Sequence, residues 1–354
     1  MKLFYLRGLN GIRAIAATAV LAGHTLNMTG LNNVHSAMAY GVTVFFCLSG
    51  FLITLLLLKE KSATNKISLT KFYLRRILRI WPLYFFYIFL SLGIIYLTTH
   101  EVYPFDKLKF YLFFVANYTA AFGNSINILF HYWSLGVEEQ FYLFWPLLII
   151  IFYNSFIRFV ILFIIGFFIL KGIINYNFGG YSGEYTFLNA SRFGCMAIGA
   201  MGAWLYYTNN KILGLLRNRM IELVSWVLIV LTWFNLFHII SLIDHEIIAM
   251  ATLVLIVNQV SGSSIVNLDQ TAFKYLGKIS FGIYVYHPLL ILLFSYLISV
   301  TTFQKHPNLF AAISVCGVFF TTVIVSHFSY KYIETPFLNL KTRFAVIKNS
   351  ADAG

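Results

Sequence analysis

Arg13 and His24 stand eleven residues apart in the run LNGIRAIAATAVLAGHT. At about 100° per residue, a helix returns them to within roughly 20° of one face, some 16 Å apart along the axis. One helix face would then carry a permanent cation and, three turns on, an imidazole that can take or give a proton near neutrality. A second constellation is HYWSLGVEEQFYLFWP, residues 131–146, where Glu138 and Glu139 follow His131 and Trp133. This block is expected next to the outer half of the helix that carries His24, and a carboxylate near that imidazole would fix its tautomer and favour its protonated form, which suits general-base work. A third is KFYLRRILRIWP, where Arg75, Arg76 and Arg79 crowd one helical turn. Guanidinium forks in that spacing match phosphate oxygens.

The elements that must position these groups are membrane helices. The 354 residues are 60% hydrophobic and only 10% charged, too few charges to cover a soluble surface. Apolar runs recur at roughly 11–28, 39–58, 80–98, 139–156, 157–174, 187–207, 222–240, 246–260, 279–300 and 309–330. The predicted fold is an all-α polytopic membrane protein of about ten transmembrane helices. A shorter stretch, 110–122, reads as a possible re-entrant or interfacial segment. Alternating ten-residue strands, the mark of a transmembrane barrel, do not occur. One membrane domain fills residues 1–340, with a short basic tail at 341–354. The N-terminus has no small-residue cleavage site after its first apolar run, so that run is expected to stay as a helix. Cys47, Cys195 and Cys316 each fall in an apolar run, which argues against disulfides and against a metal cluster.

Charge sets the expected orientation. The loop 59–79 holds Lys59, Lys61, Lys66, Lys71, Arg75, Arg76 and Arg79 against the single acid Glu60. By the positive-inside rule it is cytoplasmic, and alternation then puts both termini inside. Nineteen of the 25 Lys and Arg fall on the inner side in this scheme, and only Lys107, Lys109 and Lys305 in outer loops. The net charge of +13 is thereby explained by topology in a cytoplasmic (inner) membrane, and no nucleic-acid partner is required.

Plainer readings stand beside these. Arg13 could snorkel to the inner interface, and His24 could be a satisfied core histidine. The arginine cluster could serve topology alone, with Trp81 in the interfacial belt. One of Glu138 and Glu139 could cap a helix start while the other tunes the site or binds a substrate. Arg192 in NASRFGCMAIGA could bind a polar substrate or snorkel outwards. His287, followed by Pro288, could bind substrate or mark a kink. Glu334 in YKYIETPF is expected to pair with nearby basic residues.

The motifs LNGIRAIAATAVLAGHT, VFFCLSGFLIT, YLRRILRIWPLYF, HYWSLGVEEQFYLFWP, SFGIYVYHPLL and YIETPF occur in the order seen in the acyltransferase 3 family of integral membrane O-acyltransferases. The chain resembles that family from about residue 5 to 337. The resemblance implies an enzyme of about ten helices that moves an acyl group, most often acetyl, from cytosolic acyl-CoA to a carbohydrate hydroxyl. Acceptors in the family are typically lipopolysaccharide, exopolysaccharide, peptidoglycan or small glycosylated molecules. Its first-helix Arg and His fall on Arg13 and His24, its basic motif on Arg75, Arg76 and Arg79, and its paired glutamates on Glu138 and Glu139. Asn10 stands where an Asp is common, which could loosen how Arg13 is held, and Gly136 where a Ser is common. Some members carry a fused esterase-like domain, and none is expected in this sequence.

The expected mechanism follows. Arg75, Arg76 and Arg79 hold the phosphates of acyl-CoA, whose arm threads past Arg13 towards His24. The acceptor enters from the outer side near Glu138, Glu139, Trp133, Arg192 and His287. His24 acts as general base or as acyl carrier, and Arg13 stabilises donor or oxyanion. No permanently bound cofactor or metal is expected, and the oligomeric state is left open. Two rivals remain. A transporter of acyl groups or of polysaccharide or lipid intermediates would use the histidines and glutamates as a proton relay, but the inverted repeats common in transporters are not detected. A structural or assembly protein would not call for Arg and His on one buried helix face.

Overall fold

The computed structural model describes residues 5–29, 40–297 and 307–344. Lys305, the end of the 279–300 run and most of the 341–354 tail lie outside the described residues. The described residues fold into helices and connecting loops. In chain order these are α1 (Leu9–Met28), α2 (Tyr40–Thr64), α3 (Leu69–Thr99), α4 (Phe105–Leu112), α5 (Ala116–Phe122), α6 (Tyr132–Ile151), α7 (Phe156–Phe178), α8 (Gly183–Ser191) and α9 (Phe193–Tyr207). Then come α10 (Leu213–Leu216), α11 (Arg219–Trp233), α12 (Asp244–Ser261), α13 (Thr271–Lys278), α14 (Ser280–Leu297), α15 (Pro307–Ser329), a π-helical turn at Tyr330–Glu334 and α16 (Thr335–Lys341).

The all-helical, membrane-spanning class holds, but ten spans and the placing of the termini are not established. Among the described residues five helices are long and apolar enough to cross a bilayer: α2, α3, α6, the run Tyr153–Phe178 containing α7, and Asn308–Phe344. The pair α13 and α14, bent by 64°, makes a sixth if taken as one span. The other expected spans fall short for physical reasons. Residues 187–207 divide at Arg192, whose φ of 45° ends α8 and starts α9. The 222–240 run stops being helical after Trp233. α1 has the length, at 20 residues, but Asn10, Arg13 and His24 dilute its apolarity.

α2 is the hub. It packs against α9, α12, α1 and α6, and 15 of its 25 residues are buried, as expected for a helix apolar on most sides. Its crossing with α9 is backbone on backbone. A Cβ at Gly50 would lie 1.9 Å from the Met196 carbonyl oxygen, and one at Gly199 would lie 1.9 Å from that of Cys47. Only glycine on both sides permits this approach, a packing mode favoured where lipid offers no hydrophobic drive between helices. Trp145 of α6 donates to Thr54 of α2 at 2.8 Å and ties a third helix to the hub.

The 110–122 stretch is two short helices with a break between them. Gln140 of α6 donates to the Phe114 carbonyl (2.8 Å) and to Asn117 (2.9 Å), satisfying the broken backbone. Buried tyrosines hold the same region, with Tyr84 donating to Tyr111 O and Tyr132 to Tyr84 O. Gly136 belongs here too, since a Cβ at that position would lie 2.8 Å from the Phe114 oxygen.

The start of α1 is fastened to the loop before α13. Asp269 accepts from the Tyr5 hydroxyl and from Gly8 N–H, and pairs with Lys274 at 3.1 Å. Burial alone would raise the Asp269 pKa. Its hydrogen bonds from Tyr5, Lys274 and Gly8 outweigh that and hold the carboxyl below its usual value.

Candidate functional site

A cavity of about 440 Å³ lies between α1, α2, α3, α6, the α13–α14 bend and the π-helical turn with α16. Its charged lining is lopsided: Arg13, Arg76, Arg79, Lys278 and Lys341 against Glu138. Such an excess of positive charge raises the local concentration of anions. On α2 the wall runs from Leu56 to Val42, roughly 21 Å of helix rise.

The arginine cluster is divided. Arg76 and Arg79, one turn apart on α3, both face the cavity, and Arg76 also lies over the Tyr142 ring at 5.5 Å. Arg75 points elsewhere. It pairs with Glu60 at 3.1 Å and donates to Phe344 O at 3.0 Å. Glu60 is buried and also accepts from Ser68 N–H at 2.8 Å, so this ion pair fastens the α2–α3 turn. The one acid of the basic loop, given little weight by sequence, decides which arginine is removed from the chamber.

The glutamates do not open a helix. α6 begins at Tyr132, so they sit two turns in, within the protein, and neither serves as a cap. Glu138 faces the cavity and accepts from Ser49 at 2.6 Å. Glu139 faces α3, where Trp81 Nε1 donates to it at 3.2 Å and its other oxygen has no hydrogen-bond partner. Trp81 thus has a specific partner beyond any interfacial role. Arg13 donates to Asn10 Oδ1 at 3.0 Å, so the residue that departs from the common Asp still holds the guanidinium, through a neutral acceptor.

His24 does not line the cavity. It is half-buried and belongs to a cluster of imidazoles at the far end of α1. Its ring stacks on His287 at 5.2 Å and meets Phe130 edge-on at 4.9 Å. His131 lies 5.3 Å from His287. The sequence places His131 in its motif without assigning it a role. Its position one residue before the helix, in a block dense with polar groups, was the available signal.

The tautomers of the two inner imidazoles follow from their partners. His287 Nδ1 lies 2.6 Å from the Tyr284 carbonyl, and His131 Nε2 lies 3.1 Å from that of Val285. A carbonyl can only accept, so each of those nitrogens carries the proton. In the neutral rings, His287 Nε2 and His131 Nδ1 are then bare lone pairs, and both are buried without a partner. Two proton acceptors are thereby held ready beside His24.

Ser134 and Tyr284 join cavity and cluster. Both line the cavity, their hydroxyls are 2.5 Å apart, and both reach the His131 carbonyl, at 3.2 and 3.0 Å. Neither was singled out from sequence. Along α6, Glu138 sits seven residues from His131, roughly 10 Å of rise, so the glutamate belongs with the arginines rather than with the imidazoles.

Trp133 and Arg192 meet away from the cavity. The Arg192 guanidinium lies 5.0 Å over the Trp133 ring and donates to Thr43 at 3.1 Å, while Nε is buried without a partner. Thr43 also bonds His245 at 3.1 Å. Nearby, Lys171 and Glu246 form an ion pair at 3.0 Å, which explains that intramembrane lysine. Glu334 is buried in the π-helical turn next to the cavity wall, and one of its oxygens has no hydrogen-bond partner. Among the described residues no group of three His, Cys, Asp or Glu is set to hold a metal ion.

Comparison with known proteins gives the following. The profile of a family described as an acyltransferase domain matches residues 6–327. O-acetyltransferase OatA of Staphylococcus aureus is 30% identical over 359 residues, covering 94% of this chain and 57% of its own length. A second S. aureus chain, provisionally named an O-acetyltransferase, is 28% identical over 368 residues, covering 95% of this chain and 58% of its own. This chain therefore spans somewhat more than half the length of these relatives. No solved structure matches.

Proposed function

The chain belongs to the acyltransferase 3 family, and on that premise we propose that it is a membrane O-acyltransferase using acyl-CoA as donor and a carbohydrate hydroxyl as acceptor. The observation that carries this reading is a continuous cavity running from Arg79, Lys278 and Lys341 to Ser134 and Tyr284, with the imidazole cluster directly behind. The basic end takes the nucleotide phosphates and faces the cytoplasm. The arm lies along α2 between Arg13 and Arg76. The thioester comes to rest at the Ser134 and Tyr284 end.

The acceptor approaches His24 from the other side, where that residue is partly exposed. His24 removes the proton of the sugar hydroxyl as its oxygen attacks the thioester carbonyl. The C–O bond forms, the C–S bond breaks, and the CoA thiolate takes up a proton. In the stepwise version His24 nitrogen attacks first, CoA leaves, and the acyl group passes from imidazole to sugar. In the direct version His287 Nε2 can receive the proton that His24 gains, and in the stepwise version it can take the proton that the acylated ring sheds. Trp133, Arg192 and His287 remain the candidates on the acceptor side.

Purified protein supplied with labelled acetyl-CoA and cell-envelope glycan should yield label in alkali-labile ester without any ion gradient. Binding of acetyl-CoA with no ester formed would overturn the reading. The divided arginine cluster gives a second check. Arg79→Gln should raise KM for the donor by about tenfold or more, the worth of one charge-assisted hydrogen bond, with little change in kcat. Arg75→Gln should leave KM within about threefold and lower thermal stability, because it strands buried Glu60. Equal KM effects from both variants would contradict the division seen in the structure.

A further inference from the structure

The donor cavity approaches the imidazoles without containing any of them. At its Val42 end the lining includes Phe45, Ser134 and Tyr284. Phe45 meets the Tyr284 ring edge-on at 6.1 Å. Beyond Tyr284 stand His131 and His287, with ring centroids at 5.6 and 5.7 Å. An arm entering from the basic end therefore meets the Ser134 and Tyr284 hydroxyls before any imidazole.

This floor is stiff. Ser134 is on α6 and Tyr284 on α14, so their 2.5 Å contact bridges two helices. With two protons between them, one hydroxyl donates to the other and the second to the His131 carbonyl, 3.2 and 3.0 Å away, on the residue that leads into α6. Both side chains are buried. A group pushed past them has to break these bonds and leave hydroxyls unpaired against methylenes, which is costlier than displacing an apolar side chain. A small acyl group can rest on the floor with its carbonyl towards the hydroxyls.

We propose that Ser134 and Tyr284 together set the acyl-chain length, admitting acetyl- or propionyl-sized groups and refusing medium chains. This rests on the reading of the cavity as the donor site. Neither residue need act on the proton; they determine which donor can seat its thioester at the cavity end that adjoins the histidines.

The test is binding, which needs no acceptor. Affinities of CoA, acetyl-CoA, butyryl-CoA and hexanoyl-CoA for the detergent-solubilised full chain are measured by calorimetry. The wild type should bind hexanoyl-CoA at least about tenfold more weakly than acetyl-CoA, the scale on which a tight pocket resolves added methylenes. Tyr284→Ala should bring that ratio near unity or invert it. Ser134→Ala, which removes one hydroxyl and hardly alters volume, should shift it the same way by a smaller factor, and it decides the matter if Tyr284→Ala does not fold. Equal affinities in the wild type, or an unchanged ratio in folded variants, would overturn the proposal while leaving the donor site intact. Failure of CoA itself to bind would instead remove the donor-site reading, and the proposal with it.

Discussion

Replacing His24 by Ala is expected to lower acyl transfer by at least about 100-fold, within the range of 10²–10⁴ typical of a lost general base. The same variant should remain folded. His24 is half-buried at the edge of its cluster, and its ring contacts with Phe130 and His287 are worth only about 0.5–1.5 kcal/mol each. Transfer of labelled acetyl from acetyl-CoA, measured beside size-exclusion behaviour and melting temperature, separates loss of chemistry from loss of fold. Retained transfer in a folded His24→Ala protein would remove His24 from the mechanism and point to His287 or His131. Their bare nitrogens make them the next candidates. An acyl-enzyme trapped on the wild type and absent from the variant would choose the two-step route over direct attack.

Gly199→Val should have the largest effect on the fold. A Cβ there would lie 1.9 Å from the Cys47 oxygen and 2.9 Å from the Phe51 nitrogen, and helix backbone cannot turn aside as a side chain can. Overpacking usually costs about 1–3 kcal/mol, and a clash with backbone belongs at or above the top of that range. The damage should also reach function. α2 carries Phe46, Ser49 and Ile53 on the cavity wall, so moving it off α9 distorts the donor chamber. A marked fall in melting temperature, or loss of monodisperse protein, is the expected readout. Gly93→Ala is the control, since nothing lies within 4 Å of a Cβ at that position and Ala is the better helix former. Equal melting temperatures for the two variants would show that the α2–α9 contact is looser than described.

What could be read from sequence divides along physical lines. Helix existence was legible because apolar periodicity is a local property, so α1, α7 and α15 lie close to their expected ranges, while α2 and α3 run on into the expected 59–79 loop, to Thr64 and from Leu69. The span count was not. The residues that draw attention to α1, Asn10, Arg13 and His24, also dilute its apolarity. Arg192 breaks a run that composition alone reads as continuous. At the site, residue types were legible and partners were not. Spacing put Arg75 and Arg79 on one face with Arg76 beside it, yet Glu60, fifteen residues before Arg75, withdraws Arg75 from the cavity. Adjacent Glu138 and Glu139 look equivalent in sequence. About 100° of helix rotation between them sends one to Ser49 and the cavity and the other to Trp81. Ser134, Tyr284 and Lys278 gave no signal, because their importance comes from where α6, α13 and α14 meet.

His131 and His287 are each steered by a main-chain oxygen rather than by a side chain. The usual orienting partner of an imidazole is a carboxylate, which a single codon change can delete and which leaves a correlated pair in related sequences. A peptide carbonyl does neither. It persists through any substitution that keeps the first turns of α14 in place, so the proton inventory of this cluster is inherited with the fold itself. A search for a co-varying acid beside these histidines would come back empty, although both rings are as firmly set as if one were there.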